Sequence, residues 1–170
     1  MPAGTDKYVN VLLDSVTMSA ANTLTYEEIN IGLSTFDRVG LMIHRIEYFI
    51  SAATMSDQTT DDDVLQMALC ASNSPTAIGS DERSVYNKAE SFISAMGTPA
   101  TMVQTFWPIV ADLGSLPNGG LLIPPRPLYL AATTVGFEAA AKVFVRLYFT
   151  TIQLKDADYF ELLETFRFFE

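Results

Sequence analysis

Apolar and polar residues alternate with a period of two through most of this chain, and a chain so patterned has few folds open to it. In an extended strand successive side chains point to opposite faces, so the period predicts strands. The longest such segment, residues 142–154, is rich in β-branched and aromatic residues and lies near the C-terminal end. Residues 7–19 alternate Val9, Val11 and Leu13 against Tyr8, Asn10, Leu12 and Asp14. Residues 23–31 alternate again with neither face wholly apolar, which predicts a partly exposed or edge strand. Residues 40–51 carry apolar groups on both faces, which predicts a central strand. Shorter strands are expected at 64–71, 102–113, 121–123 and 128–135, with Pro108 marking an edge or bulge.

Two segments break the pattern. Val85, Ala89, Phe92, Ile93 and Met96 fall at helical spacing, so residues 81–96 are expected to form an inserted helix, with Ser80 or Asp81 as its cap. Residues 156–167 form a short C-terminal helix capped by Asp156, with Tyr159, Leu162, Leu163 and Phe166 on one stripe, although residues 162–169 also suit a strand. About eight strands separated by turn-rich loops predict an all-β fold, a two-sheet antiparallel sandwich or a barrel. The long connection from Ala71 to Met102 lets the chain cross between sheets. At 170 residues, without repeat or linker, the chain reads as one domain, 1–170.

The totals narrow the function. Acids outnumber bases 20 to 10, for a net charge of −10, and no basic cluster offsets this, so direct nucleic-acid binding is not expected. Only 18% of residues are charged, against roughly 25% in typical soluble domains. Either a thick core or a surface that meets other protein accounts for that shortage. One cysteine excludes an intrachain disulfide. No signal peptide and no apolar run of about 18 residues is seen, so a membrane span is not expected.

Catalytic chemistry finds little material. The unique His44 and Cys70 would face each other if 40–51 and 64–71 formed a hairpin whose paired residue numbers sum to about 114. A Cys–His hydrolase also needs an oxyanion hole and an orienting group, and no motif supplies them. Asp57, Asp61, Asp62 and Asp63 could hold calcium, which takes about six to eight oxygens, but their spacing is not that of an EF-hand loop. Glu27 and Glu28 point to opposite faces of a strand, so they cannot flank a sugar bond with each other, and nothing places Glu47 beside either. Trp107, Tyr26, Tyr48, Tyr129 and Phe137 are not grouped into a sugar platform by their spacing. A single histidine argues against metal-dependent cupin chemistry. The chain therefore reads as no enzyme. Phe166, Phe168 and Phe169 are unusual near a terminus and predict a docked segment, on the same subunit or on another; Pro124 and Pro125, beside Gly119 and Gly120, stiffen a loop that could meet a neighbour.

Taken together, the strands, the crossover 71–102, the Pro/Gly-rich loop 116–127 and the strong last strand resemble the single jelly-roll capsid proteins of small icosahedral viruses. The resemblance is architectural and covers most of the chain. It implies a structural protein present in many copies, self-assembled through lateral contacts into a shell, part of a virion and made in the host cytoplasm. The near-neutral start of this chain departs from the basic genome-binding arm of many members. The alternative is a carbohydrate- or receptor-binding sandwich of fibre or lectin type. Deleting residues 165–170 is expected to lower stability or alter particle size, read by thermal unfolding and light scattering; unchanged values would remove the role given to the terminal aromatics.

Overall fold

A computed structural model describes residues 8–33, 38–51, 62–78, 84–96, 101–104 and 108–167. Among them two antiparallel sheets face each other. The front sheet holds β1 (Asn10–Thr17), β10 (Lys142–Gln153) and β3 (Val39–Ile50) in that order, with β7 (Ile109–Asp112) and β8 (Leu121–Ile123) both paired along β3. The back sheet runs β2 (Thr25–Ile29), β9 (Leu128–Val135), β4 (Asp62–Cys70), β5 (Val85–Met96), β6 (Thr101–Gln104). Helix α1 (Asp156–Arg167) follows β10. With β7 and β8 counted as one interrupted sixth strand and the edge strand β6 left aside, the orders become 1-8-3-6 and 2-7-4-5. That strand order defines a jelly roll, the predicted fold class.

The inner faces make the core. From the front come Leu41, Ile43, Ile46, Tyr48, Val143, Val145 and Leu147; from the back come Leu65, Met67, Leu69, Leu128 and Leu130, all of them buried. Each such side chain contributes roughly 1.5–3 kcal/mol by leaving water. Tyr48 brings a hydroxyl into this layer. Burial, with Cys70 nearby, pushes its ionisation well above the usual phenol range, so it remains a neutral donor, and it donates to Asn87 Oδ1 across the sandwich at 3.1 Å.

The apolar groups on both faces of residues 40–51 have a specific origin. The β3–β10 register slips between Tyr148 and Phe149, leaving His44 as the extra residue of a bulge. Before the bulge the odd residues Leu41 and Ile43 point inward; after it the even residues Ile46, Tyr48 and Ile50 do. One inward row with a phase change therefore looks two-sided in the sequence.

Four expectations are corrected. The connection from Ala71 to Met102, expected to let the chain cross between sheets, makes no crossing: β4, β5 and β6 are successive neighbours in the back sheet, and the chain changes sheet between β6 and β7. Residues 85–96 form strand β5 rather than an inserted helix, because the ladder with β4 pairs Val64 with Phe92 and Met67 with Ala89. Ala89 and Ser91 are buried, while Lys88, Glu90 and Phe92 are exposed, a two-residue period that the apolar spacing concealed. The single strand expected at 102–113 is two strands in different sheets, β6 and β7, and Pro108 stands just before β7. Finally, β3 and β4 form no hairpin: they lie in opposite sheets. The edge position of β2, the central position of β3 and the helix at 156–167 match expectation.

One end of the sandwich is latched by Asn22. It sits at φ 58°, a left-handed conformation that asparagine tolerates better than most residues. Its Nδ2 donates to Phe137 O at 3.1 Å, its Oδ1 accepts from Phe137 N at 3.1 Å, and its backbone N donates to Thr134 Oγ1 at 2.9 Å. The β1–β2 turn is thereby tied to the β9–β10 connection. Thr134 Oγ1 also donates to Asn22 Oδ1 at 3.3 Å, so Asn22→Ala is expected to lower stability by about 2–3 kcal/mol, from three lost side-chain bonds plus backbone strain. Asn22→Gly should recover about 1 kcal/mol of that by relieving the strain. Urea midpoints test the order; equal losses for both variants would show that strain plays no part.

Candidate functional site

The two outer faces differ. The back face is partly roofed by the loop after β4: Ile78 is buried against Ala68, Cys70 and Ala131, and Tyr26 Oη donates to Pro75 O at 2.7 Å. The front face carries an ordered polar and aromatic surface on its two longest strands. Because β3 and β10 pair antiparallel, Arg45-x-Glu47-x-Phe49 lies against Tyr148-x-Arg146-x-Phe144 rung by rung. Directly opposite residues in a ladder have Cβ atoms about 5 Å apart, so each rung is a contact.

At one end of this strip the rings of Phe49 and Phe144 stack, with centroids 5.2 Å apart and planes 8° from parallel. In the middle, Glu47 takes Arg45 Nη2 at 2.6 Å on Oε1 and Arg146 Nη1 at 3.1 Å on Oε2, which also accepts from Tyr148 Oη at 3.3 Å. The Tyr148 hydroxyl foremost, with Glu47 contributing less, pushes the Arg146 pKa further up, so that cation persists at any working pH. Arg45 lies 5.6 Å from the Tyr148 ring centroid, Arg146 5.5 Å from that of Phe49, and Lys142 Nζ 5.3 Å from that of Phe144. Each distance is within cation–π range. The guanidinium groups cover Glu47 so fully that its side chain is only 6% exposed, although it stands on an outer face. A cleft of about 300 Å³ opens beside it, between Glu47, Phe49, Ile50, Arg146 and Pro108.

On the same face, the edge strand continues the surface as an aliphatic ridge. Val11 opposes Tyr148 and Leu13 opposes Arg146, and Val9, Val11 and Leu13 are all more than half exposed. Among the described residues no strand pairs with the far side of β1. At the bulge, His44 Nδ1 donates to Gly119 O at 2.8 Å, which leaves Nε2 to accept from Thr150 Oγ1 at 2.9 Å in the neutral ring. This holds the Gly-rich loop against the sheet. A Cβ on Gly120 would meet Ile43 O at 2.7 Å, so only glycine permits that approach.

The residues singled out by sequence are scattered. Cys70 is buried on the back sheet opposite Tyr129, and His44 is engaged on the front sheet, so the Cys–His dyad is excluded. Glu27 and Glu28 lie on edge strand β2 of the back sheet, away from Glu47. Tyr48 and Phe137 are in the core, Tyr26 and Tyr129 border the Cys70 cluster, and Trp107 lies outside the described residues. Asp57 and Asp61 also lie outside them; Asp62 is in β4 and Asp63 is buried there. Among the described residues no group of three or more His, Cys, Asp or Glu side chains clusters as a metal site would require. Phe168 and Phe169 lie outside the described residues, and Phe166 belongs to α1. Pro124 and Pro125 are buried and line a cleft of about 280 Å³ with Glu28, Leu33, Leu41 and Arg126. The strip on β3 and β10 was not foreseen. Its signal lay in two alternating triads, Arg45/Glu47/Phe49 and Phe144/Arg146/Tyr148, which become complementary only once the strands are known to be neighbours.

No protein-family model matches this chain, and no curated protein matches it. Among solved structures, it is similar to VP1 of Trichodysplasia spinulosa-associated polyomavirus in complex with 3'-sialyllactose. That match has a TM-score of 0.49 and 10% identity, covering 87% of this chain and 96% of that one. For VP1 of the same virus alone the TM-score is 0.49 and the identity 8%, over 86% and 97% of the two chains.

Glu47→Gln keeps the shape of the network and removes its central charge. The expected cost is about 1 kcal/mol, because the carboxylate is buried while both arginines remain substantially exposed to solvent screening. Urea unfolding measures it, and about 1 M salt should shrink the difference. An unchanged midpoint at low salt would show that the network adds nothing to stability.

Proposed function

We propose that this chain is a structural subunit that assembles with many copies of itself into a closed shell of the viral-capsid kind. The observation that carries this reading is the aliphatic ridge of Val11 and Leu13 on β1, with Val9 just before it, at a sheet edge that no other strand pairs among the described residues of a jelly roll. A soluble monomer ordinarily blunts such an edge with charge, proline or a covering loop. Here Val9, Val11 and Leu13 are apolar and more than half exposed, followed on the same outward row by Ser15 and Thr17, in a chain with only 18% charged residues. Contiguous apolar surface rimmed by polar groups marks contact with other protein. The neighbouring rungs supply that rim, with arginines and aromatic rings of the types enriched at interfaces. As a shell subunit the protein is a virion component made in a host cytoplasm. It works by association rather than catalysis, and its net charge of −10 does not favour direct contact with nucleic acid.

Purified protein is expected to elute far above its 18.7 kDa monomer mass and to show particles of tens of nanometres by negative-stain microscopy. Val11→Asp together with Leu13→Asp should disperse these particles. Both side chains face solvent in the monomer, so the subunit's own stability should change by no more than about 0.5 kcal/mol. A monodisperse wild-type monomer at high concentration would refute the reading.

A further inference from the structure

Helix α1 presents an outward stripe whose chemistry mirrors that of the front face. Tyr159 is buried and Leu162 and Leu163 are half-buried, so these side chains face the subunit. Ala157, Phe160, Glu161 and Glu164, at positions i, i+3, i+4 and i+7, share the opposite side. Phe160 is 61% exposed, an aromatic ring with two carboxylates following it on the same stripe. The stacked Phe49–Phe144 pair is its counterpart: a ring surface with Lys142 and Arg146 leaning in on it.

The helix cannot reach this surface on its own subunit. Its first residue is held at the far end of β10, where Arg38 Nη1 pairs with Asp156 Oδ1 at 2.6 Å and Leu154 N donates to Arg38 O at 3.0 Å. Phe144 lies nine positions before Gln153 along the strand, a separation of about 30 Å. From Gln153 to Phe160 the chain spans at most about 16 Å, three extended residues and just over one helical turn. An α1 seated on the ring pair must therefore come from another molecule.

We propose that α1 of one copy docks on the front face of a second copy, Phe160 against the Phe49–Phe144 pair and Glu161 and Glu164 toward Lys142 and Arg146. This deepens the assembly reading above and rests on it. The contact joins two different patches, so it closes either as a reciprocal two-fold pair or, propagating head to tail, through rotation into a ring or shell. Opposite charges at its rim set orientation and make it salt-sensitive.

Scattering-detected chromatography of wild type, Phe160→Ala and Lys142→Glu tests this. Both variants alter exposed side chains, and circular dichroism checks that each stays folded. Each is expected to weaken self-association on the order of tenfold or more. Combining Lys142→Glu with Glu161→Lys should restore part of it. In a second arm, a Lys142→Cys protein mixed with a Glu161→Cys protein should form a disulfide-linked heterodimer, because the native Cys70 is buried. Assembly of wild type with no response to either substitution, and no cross-link, would overturn this contact and leave the assembly reading standing. A wild type that stays monomeric would overturn both.

Discussion

The pairing of β3 with β10 is the contact on which the rest of the structure depends. These two strands of twelve residues each form the middle of the front sheet, and β1, β7 and β8 attach to them. One side of the ladder supplies Ile43, Ile46, Tyr48, Val143, Val145 and Leu147 to the core. The other side supplies every rung of the polar and aromatic strip. Because alternation is strict, burying the first row obliges the second to face outward, and slipping the register by one residue would exchange them. The His44 bulge is the one place where the phase changes, and the imidazole it frees holds the glycine-rich loop through Gly119.

The network around Glu47 shows how an outer face can carry charge without being hydrophilic. Two guanidinium groups saturate one carboxylate and lie over aromatic rings, which spreads their charge across apolar surface. Such a surface is pre-ordered, since its side chains are fixed before any partner arrives. Less conformational entropy is then lost on association, and that saving favours binding. The aliphatic ridge on β1 adds the apolar area that the charged rungs lack. The small charged share of the chain is thus matched by a particular outer face on which apolar side chains stand exposed.

The back sheet follows a different logic. Its outer face is partly sealed within the subunit by Ile78 and by the Tyr26–Pro75 hydrogen bond. Cys70, which in isolation invites a catalytic reading, is one of the small groups that make this seal tight. Its burial beneath the loop, on the sheet opposite to His44, removes the dyad that the sequence invites. Among the described residues the two outer faces are therefore unlike, the back one partly roofed and the front one carrying the exposed side chains of β1, β3 and β10.

How much of this was legible in the sequence follows from the range of each interaction. Side-chain alternation is local, so the positions of β1, β2, β9 and β10 could be read directly, and the helical stripe placed the helix after residue 155. Strand number and turn spacing gave a β-sandwich or barrel, and the resemblance narrowed it to a jelly roll; the crossing expected over residues 71–102 is absent, because β4, β5 and β6 are neighbours in one sheet. What the chain could not disclose was which strand neighbours which. Residues 85–96 carry apolar groups at both a helical and a strand spacing, and only the ladder with β4 decides between them, because it satisfies the backbone groups of a strand in the sheet. The same dependence hid the Glu47 strip: Arg45 and Arg146 stand a hundred residues apart and meet through strand pairing alone. Tertiary structure decided the pairing because closing such a long loop costs entropy that only joint burial of both strands' inner rows can offset.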